Sequence, residues 1–130
     1  MAVIVLDASV LIAFFRPEDD LHVRARAALS EIADDEWVVP TSVCVEILVG
    51  AYRASDQDAA LADRFLDEGV DRIESVTLPI ARTAARIRAK HPRLSLADAF
   101  VLATGEVIQA DVVLTADRAW TRVSDRVRVA

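Results

Sequence analysis

Four carboxylates stand where an acid could do chemistry. Asp7 ends the apolar run Val3 to Leu6, and Glu46 lies inside the apolar stretch Val43 to Val49. Asp98 precedes the run Ala99 to Ala103, and Asp117 follows Val112 to Leu114. Oxygen donors without paired His or Cys suit a hard cation; Mg²⁺ or Mn²⁺ takes a few carboxylates and completes its shell with water. Each acid also has an ordinary reading. Asp7 and Asp117 can cap the helix that follows each of them. Asp98 fits a capping box with Ser95 at the N-cap, a role compatible with one carboxylate oxygen facing a cation. Glu46 has Val43, Val49 and Gly50 as helical neighbours, so no wide polar face receives it. A buried carboxylate needs a partner, here a metal or an Arg on a neighbouring helix. His22 and His91 are far apart in charged surroundings and read as surface residues, and Cys44 reads as a small core residue.

These acids must be positioned by the elements around them. Val3 to Leu6 is a β-branched apolar run, the pattern of a strand buried on both faces. Helical spacing follows over Ser9 to Phe15 and Leu21 to Ile32. Trp37 to Val39 is a second strand. A helix capped by Thr41 or Ser42 then runs to about Tyr52, and another covers Asp58 to Leu66 before Gly69. Ile73 to Val76 reads as a strand, Pro79 to Lys90 and Ser95 to Ile108 as helices, and Val112 to Leu114 as a strand. A helical turn follows Asp117, and Val127 to Val129 offers a last strand. Alternating strands and helices predict a three-layer α/β/α sandwich around a mainly parallel sheet. Asp7 and Asp117 then share the C-terminal rim of that sheet, where open sheets of this kind bind ligands. All four acids are expected in one cleft there.

The chain has 130 residues, of which 54% are hydrophobic and 5% aromatic. One domain over residues 1–130 with an aliphatic core is expected. The net charge of -6 argues against holding nucleic acid by bulk electrostatics. A lone cysteine excludes an internal disulfide, no run is long enough to span a membrane, and no basic segment precedes the first apolar run; a cytoplasmic location is the expectation.

Four segments together resemble the PIN-domain nucleases, and within them the VapC-type toxins of bacterial toxin-antitoxin pairs. They are Val5-Leu6-Asp7-Ala8-Ser9-Val10-Leu11, Glu46-Ile47-Leu48-Val49-Gly50, Ser95-Leu96-Ala97-Asp98-Ala99 and Leu114-Thr115-Ala116-Asp117. The resemblance implies Mg²⁺-dependent hydrolysis of RNA phosphodiester bonds, with Asp7, Glu46, Asp98 and Asp117 as catalytic metal ligands. Ser9 and Thr115 would orient those acids. Trp120 stands where many relatives carry Phe. The resemblance also implies a homodimer and a cognate antitoxin, with Phe14, Phe15, Leu21 and Leu29 as candidate contacts. A non-catalytic PIN-like binding module is the main alternative. A Mg²⁺-dependent phosphatase of the dehalogenase type would need an acid at position 9, where this chain has Ser, and a receiver domain would need a Lys after a late strand. Finally, Arg82, Arg86, Arg88, Lys90 and Arg93 form the clearest basic segment, with no acid among positions 82 to 93. Arg82, Arg86 and Arg93 are therefore candidates to guide RNA, although basic residues also favour helix C-termini.

Overall fold

β1 (Val3–Leu6) is the middle strand of the sheet because its run of branched side chains is apolar on both faces. The computed structural model describes residues 1–130. After β1 come α1 (Ala8–Phe15), α2 (His22–Glu31), β2 (Glu36–Pro40), α3 (Thr41–Ala54), α4 (Asp56–Glu68) and β3 (Arg72–Glu74). α5 (Leu78–Lys90), α6 (Leu96–Val107), β4 (Val112–Thr115), a 3₁₀ turn (Arg118–Arg122) and β5 (Val127–Val129) complete the chain. The strand order is β3-β2-β1-β4-β5, and every neighbouring pair is parallel. The expected three-layer α/β/α sandwich is the observed one. The chain steps outward from β1 through β2 to β3, then returns across the sheet to β4 on the other side of β1. Right-handed crossovers put the helices of these two journeys on opposite faces. The reversal makes the C-terminal ends of β1 and β4 the switch point of the sheet.

Most helices begin where a side chain can satisfy their free N–H groups. The hydroxyls of Ser55, Thr77 and Ser95 accept from the backbone N–H of Asp58, Ile80 and Asp98. α3 differs from expectation. Its N-cap is Pro40, and neither Thr41 nor Ser42 caps it. Thr41 Oγ1 instead accepts from Val76 N–H at 3.3 Å, which ties the segment after β3 to the start of α3. β3 stops at Glu74 rather than Val76, because its partner β2 ends at Pro40, opposite Glu74.

The core is aliphatic, and Trp120 is its only buried aromatic residue. Leu29 belongs to that core, 3% exposed, so it offers no contact surface. Phe15 is partly exposed and meets Phe14 and Phe65 edge to face. No helix is long and apolar enough to cross a membrane.

α6 lies so close to the sheet that a Cβ on Gly105 would collide with the buried side chain of Val113 on β4. At Gly50, by contrast, an added Cβ would meet only the movable guanidinium end of Arg16, at 3.3 Å. Gly105→Ala should therefore destabilise the fold by about 1–3 kcal/mol through overpacking. Gly50→Ala should be neutral or stabilising by up to about 1 kcal/mol, the helix propensity difference. Urea unfolding of both variants reads the two signs.

Candidate metal and active site

Asp7 is fixed by the register of the two central strands. Leu6 pairs with Leu114, and Asp7 N–H then donates to the Leu114 carbonyl at 3.0 Å. The next residue on β4, Thr115, is thereby brought alongside Asp7. Its hydroxyl donates to Asp7 Oδ2 at 2.8 Å, and the Ser9 hydroxyl donates to the same oxygen at 2.7 Å. Asp7 Oδ1 accepts from Ala8 N–H at 2.8 Å, so the acid also caps α1. Each hydroxyl is held from behind: Ser9 Oγ accepts from Ala116 N–H and Thr115 Oγ1 from Asp117 N–H, both at 3.1 Å. With their protons directed at Asp7 and one lone pair of each engaged by a backbone N–H, the two hydroxyls are held in this orientation. Asp7 is only 5% exposed, yet no cationic side chain pairs with it.

The other acids come from elements that converge on this point. Asp98 lies in the first turn of α6, with Ser95 as the cap, as the sequence predicts. Asp117 caps the 3₁₀ turn through Ala119 N–H at 2.9 Å. Glu46 departs from its expected setting. It lies on the exposed side of α3, beside exposed Val45 and Val49, and no Arg pairs with it. The apolar residues around Glu46 predict a buried setting, whereas Val45 and Val49 face outward.

Electrostatics links the four. Burial holds the Asp7 carboxyl above the ordinary range; the hydroxyls of Ser9 and Thr115 pull against this, and Asp98 adds to it by repulsion. Glu46 is raised by desolvation, then by repulsion from Asp7 and Asp98. Asp98 is raised by desolvation and by Asp117, and lowered by Ser95. The Trp120 indole N–H also lies near enough to lower Asp98, but it makes no hydrogen bond of normal geometry to any partner. No three of the acids stand close enough to form a ready-made cage for an ion. Their chemistry nevertheless fits a hard divalent cation: every donor is a carboxylate oxygen, mutual repulsion favours a positive charge among them, and Mg²⁺ spans gaps between carboxylates with water.

The remaining candidates separate. His22 Nδ1 is 2.8 Å from the Ala13 carbonyl, a structural link between α1 and α2. Arg86 is engaged by Glu106 at 2.7 Å, and Arg82 is exposed on the same helix. Arg93 lines a recess that also includes Asp98 and Asp117. Lys90 and Arg122 line that recess too. Sequence reasoning missed Arg122 because its proximity depends on how the 3₁₀ turn folds back.

The sign of the Asp7 shift gives a pH test. Its pKa in the folded chain lies above the ordinary value of 3.8. The associated stability is full below that value and is lost as pH rises through the folded pKa. At pH 7 in chelator, Asp7→Asn should therefore melt above the parent by about 3–5 °C, the scale of about 1 kcal/mol in a chain this size. The difference should close as the pH approaches 4. Added Mg²⁺ should raise the parent's melting temperature and leave the variant's in place. A variant that melts below the parent throughout would contradict the account.

The PIN domain model matches residues 4–126. A comparison with curated protein sequences gave no match. Similar solved structures include a toxin-antitoxin complex from Klebsiella pneumoniae, 22% identical over 96% of this chain and 95% of that one, with a TM-score of 0.76. FitAcB from Neisseria gonorrhoeae is 20% identical over 98% of this chain and 96% of its own, with a TM-score of 0.77. Mycobacterium tuberculosis VapC20, described as a sarcin-ricin loop cleaving toxin, is 19% identical over 92% and 93%, with a TM-score of 0.76. At these identities the likeness speaks for the fold alone. The family match spans nearly the whole sequence, and the chain belongs to the PIN-domain family.

Proposed function

We propose that the chain, acting as one domain over residues 1–130, is a cytoplasmic Mg²⁺-dependent endoribonuclease and the VapC-type toxin of a toxin-antitoxin pair. The observation that carries this reading is Asp7: a buried carboxylate, oriented by two hydroxyls, repelled by Asp98 and lacking a cationic side chain. A module that only held a partner would be more stable without this charge. A dehalogenase-type phosphatase has no acid to use at position 9, where the Ser9 hydroxyl is committed to Asp7. The partner and substrate class in this proposal follow the descriptions of proteins that share the fold, among them a toxin-antitoxin complex and a sarcin-ricin loop cleaving toxin.

Asp7, Glu46 and Asp98 would hold the cation, with Asp117 completing the set; Mn²⁺ would substitute for Mg²⁺. When bound, such a cation supplies the acidity that makes water a nucleophile near neutral pH and the positive charge that developing phosphoryl and leaving oxygens need. Asp7 anchors that centre to the sheet because its carboxylate cannot rotate without breaking hydrogen bonds to α1 and β4. Ser9 and Thr115 hold Asp7 Oδ2 in place, and Ala8 N–H holds Oδ1. Asp98 and Asp117 stand at the open side, where the RNA backbone enters.

An apolar recess of about 140 Å³ between α1, α3 and α4 suits the antitoxin. Ile12, Phe15, Ile47 and Leu61 line it, and it adjoins the α3 segment carrying Glu46. An apolar antitoxin segment seated there could direct a basic side chain toward the acids. The exposed stripe Val45, Val49 and Tyr52 on α3 offers a separate surface for the homodimer.

Asp7→Asn and Asp98→Asn should each abolish Mg²⁺-dependent cleavage of RNA while leaving the circular dichroism spectrum unchanged. Thr115→Val keeps the shape but removes a hydroxyl that orients Asp7, and should lower metal affinity or activity about 10–100-fold. Cleavage of total RNA is measured with Mg²⁺ and again with chelator. Full activity in either Asn variant, or equal cleavage in chelator, would remove the acids from the mechanism.

A further inference from the structure

Trp120 carries a donor that the fold leaves unused. Its side chain is 1% exposed, and the indole N–H, a group that can only donate, has no hydrogen-bond partner. The other tryptophan, Trp37, has its N–H satisfied by the Ile32 carbonyl at 2.8 Å. A buried donor left unmade carries the full cost of its desolvation, so the Trp120 N–H requires an explanation. The ring is not free to find a partner by itself. It is packed in the core, and the 3₁₀ turn that bears it is closed by Val123 N–H and Ser124 N–H on the Trp120 carbonyl, at 2.9 and 3.3 Å. A partner must therefore come to the ring. Trp120 lines the recess that also includes Asp98 and Asp117.

Of those two acids, Asp117 already accepts from Ala119 N–H through Oδ1. Asp98 differs. Ser95 Oγ holds its backbone N–H at 3.1 Å, yet no hydrogen bond of normal geometry reaches either carboxylate oxygen. Trp120 stands near enough to lower the Asp98 pKa all the same. Asp98 is half-buried, and the terminal torsion of an Asp side chain has a broad minimum, so a small pivot brings an oxygen onto the N–H. The bond so made is charge-assisted and stronger than a neutral one. We propose that Trp120 is a positioning residue, whose indole N–H donates to one Asp98 oxygen and leaves the other for the shared cleft. Asp98 then has what Ser9 and Thr115 give Asp7, a donor held in place by the fold. An indole N–H has no lone pair to offer, so it orients the acid without competing for a cation. Phe, which many relatives carry at this position, has no such donor. The proposal rests on the metal-site reading and adds to it a residue that acts through Asp98.

The test is nuclear magnetic resonance on the ¹⁵N-labelled full chain. Two tryptophans give two indole N–H resonances, and Trp120→Phe assigns them by removing one. The Trp37 resonance, held by Ile32, is the internal reference. In chelator, Asp98→Ala should move the Trp120 indole proton upfield and leave that of Trp37 in place. Asp117→Asn, which keeps an oxygen to cap the 3₁₀ turn, should move neither. Mg²⁺ is then titrated and its affinity read from the backbone resonances. Trp120→Phe should weaken it about 10–100-fold, the range for groups that orient a ligand. Leu29→Val trims the core on α2, which does not line the recess, and should leave the affinity unchanged. A Trp120 resonance indifferent to Asp98, one that follows Asp117 instead, or equal losses of affinity in the two core variants would overturn the assignment. Should Trp120→Phe fail to fold, the parent and Asp98→Ala compared in chelator still decide the bond. No response of the parent to Mg²⁺ would count against the metal-site reading, and the chelator comparison would again decide the bond by itself.

Discussion

The Asp7 carboxylate is the constraint on which the rest of the site depends. It is ionisable, almost wholly buried and without a counter-charge, so it can persist only where fixed dipoles and hydroxyls receive it. The sheet provides that setting by pairing β1 with β4. Their register puts Thr115 beside Asp7, the start of α1 offers Ala8 N–H, and Ser9 closes the remaining side. Displacing either strand by one residue would point Thr115 away and leave a buried charge partly unsatisfied. The same feature makes the carboxylate costly to the apo fold and suited to a cation.

Around this fixed acid, the others show graded freedom. Asp98 and Asp117 each spend part of their hydrogen-bonding capacity at the start of a helical turn, which sets their backbone positions. Glu46 has no such tether and stands on an exposed helix face. A cation arriving among these groups would meet one rigid carboxylate and several that can adjust. That division explains how repulsion can join the acids electrostatically although they form no closed cage.

Much of the architecture was legible in the sequence because the signals were local. A branched apolar run ending in Asp read as a strand with an acid at the rim, and Ser95 with Asp98 read as a cap; both are observed. The start of α3 was not legible. Thr41 has the right chemistry for a cap, but its hydroxyl is taken by Val76, a contact between residues 35 apart. The setting of Glu46 was misread because apolar neighbours imply burial only if something covers them, and Val45 and Val49 are uncovered. Ser9 and Thr115 could be placed beside Asp7 through the family resemblance, since strand register is invisible in a single sequence. Arg122 could not be associated with Arg93 by spacing at all.

The bond from Thr115 to Asp7 joins residues separated by 108 positions. A chain emerging from synthesis displays Asp7 early and its hydroxyl partner very late. Until β4 has docked against β1, the first acid lacks Thr115, the switch point is absent and Asp117 has no place at the rim. Contacts of such long range form slowly and only after most of the polypeptide is available. A carboxylate centre assembled in this way stays incomplete in unfinished or truncated products and comes together only with the completed fold.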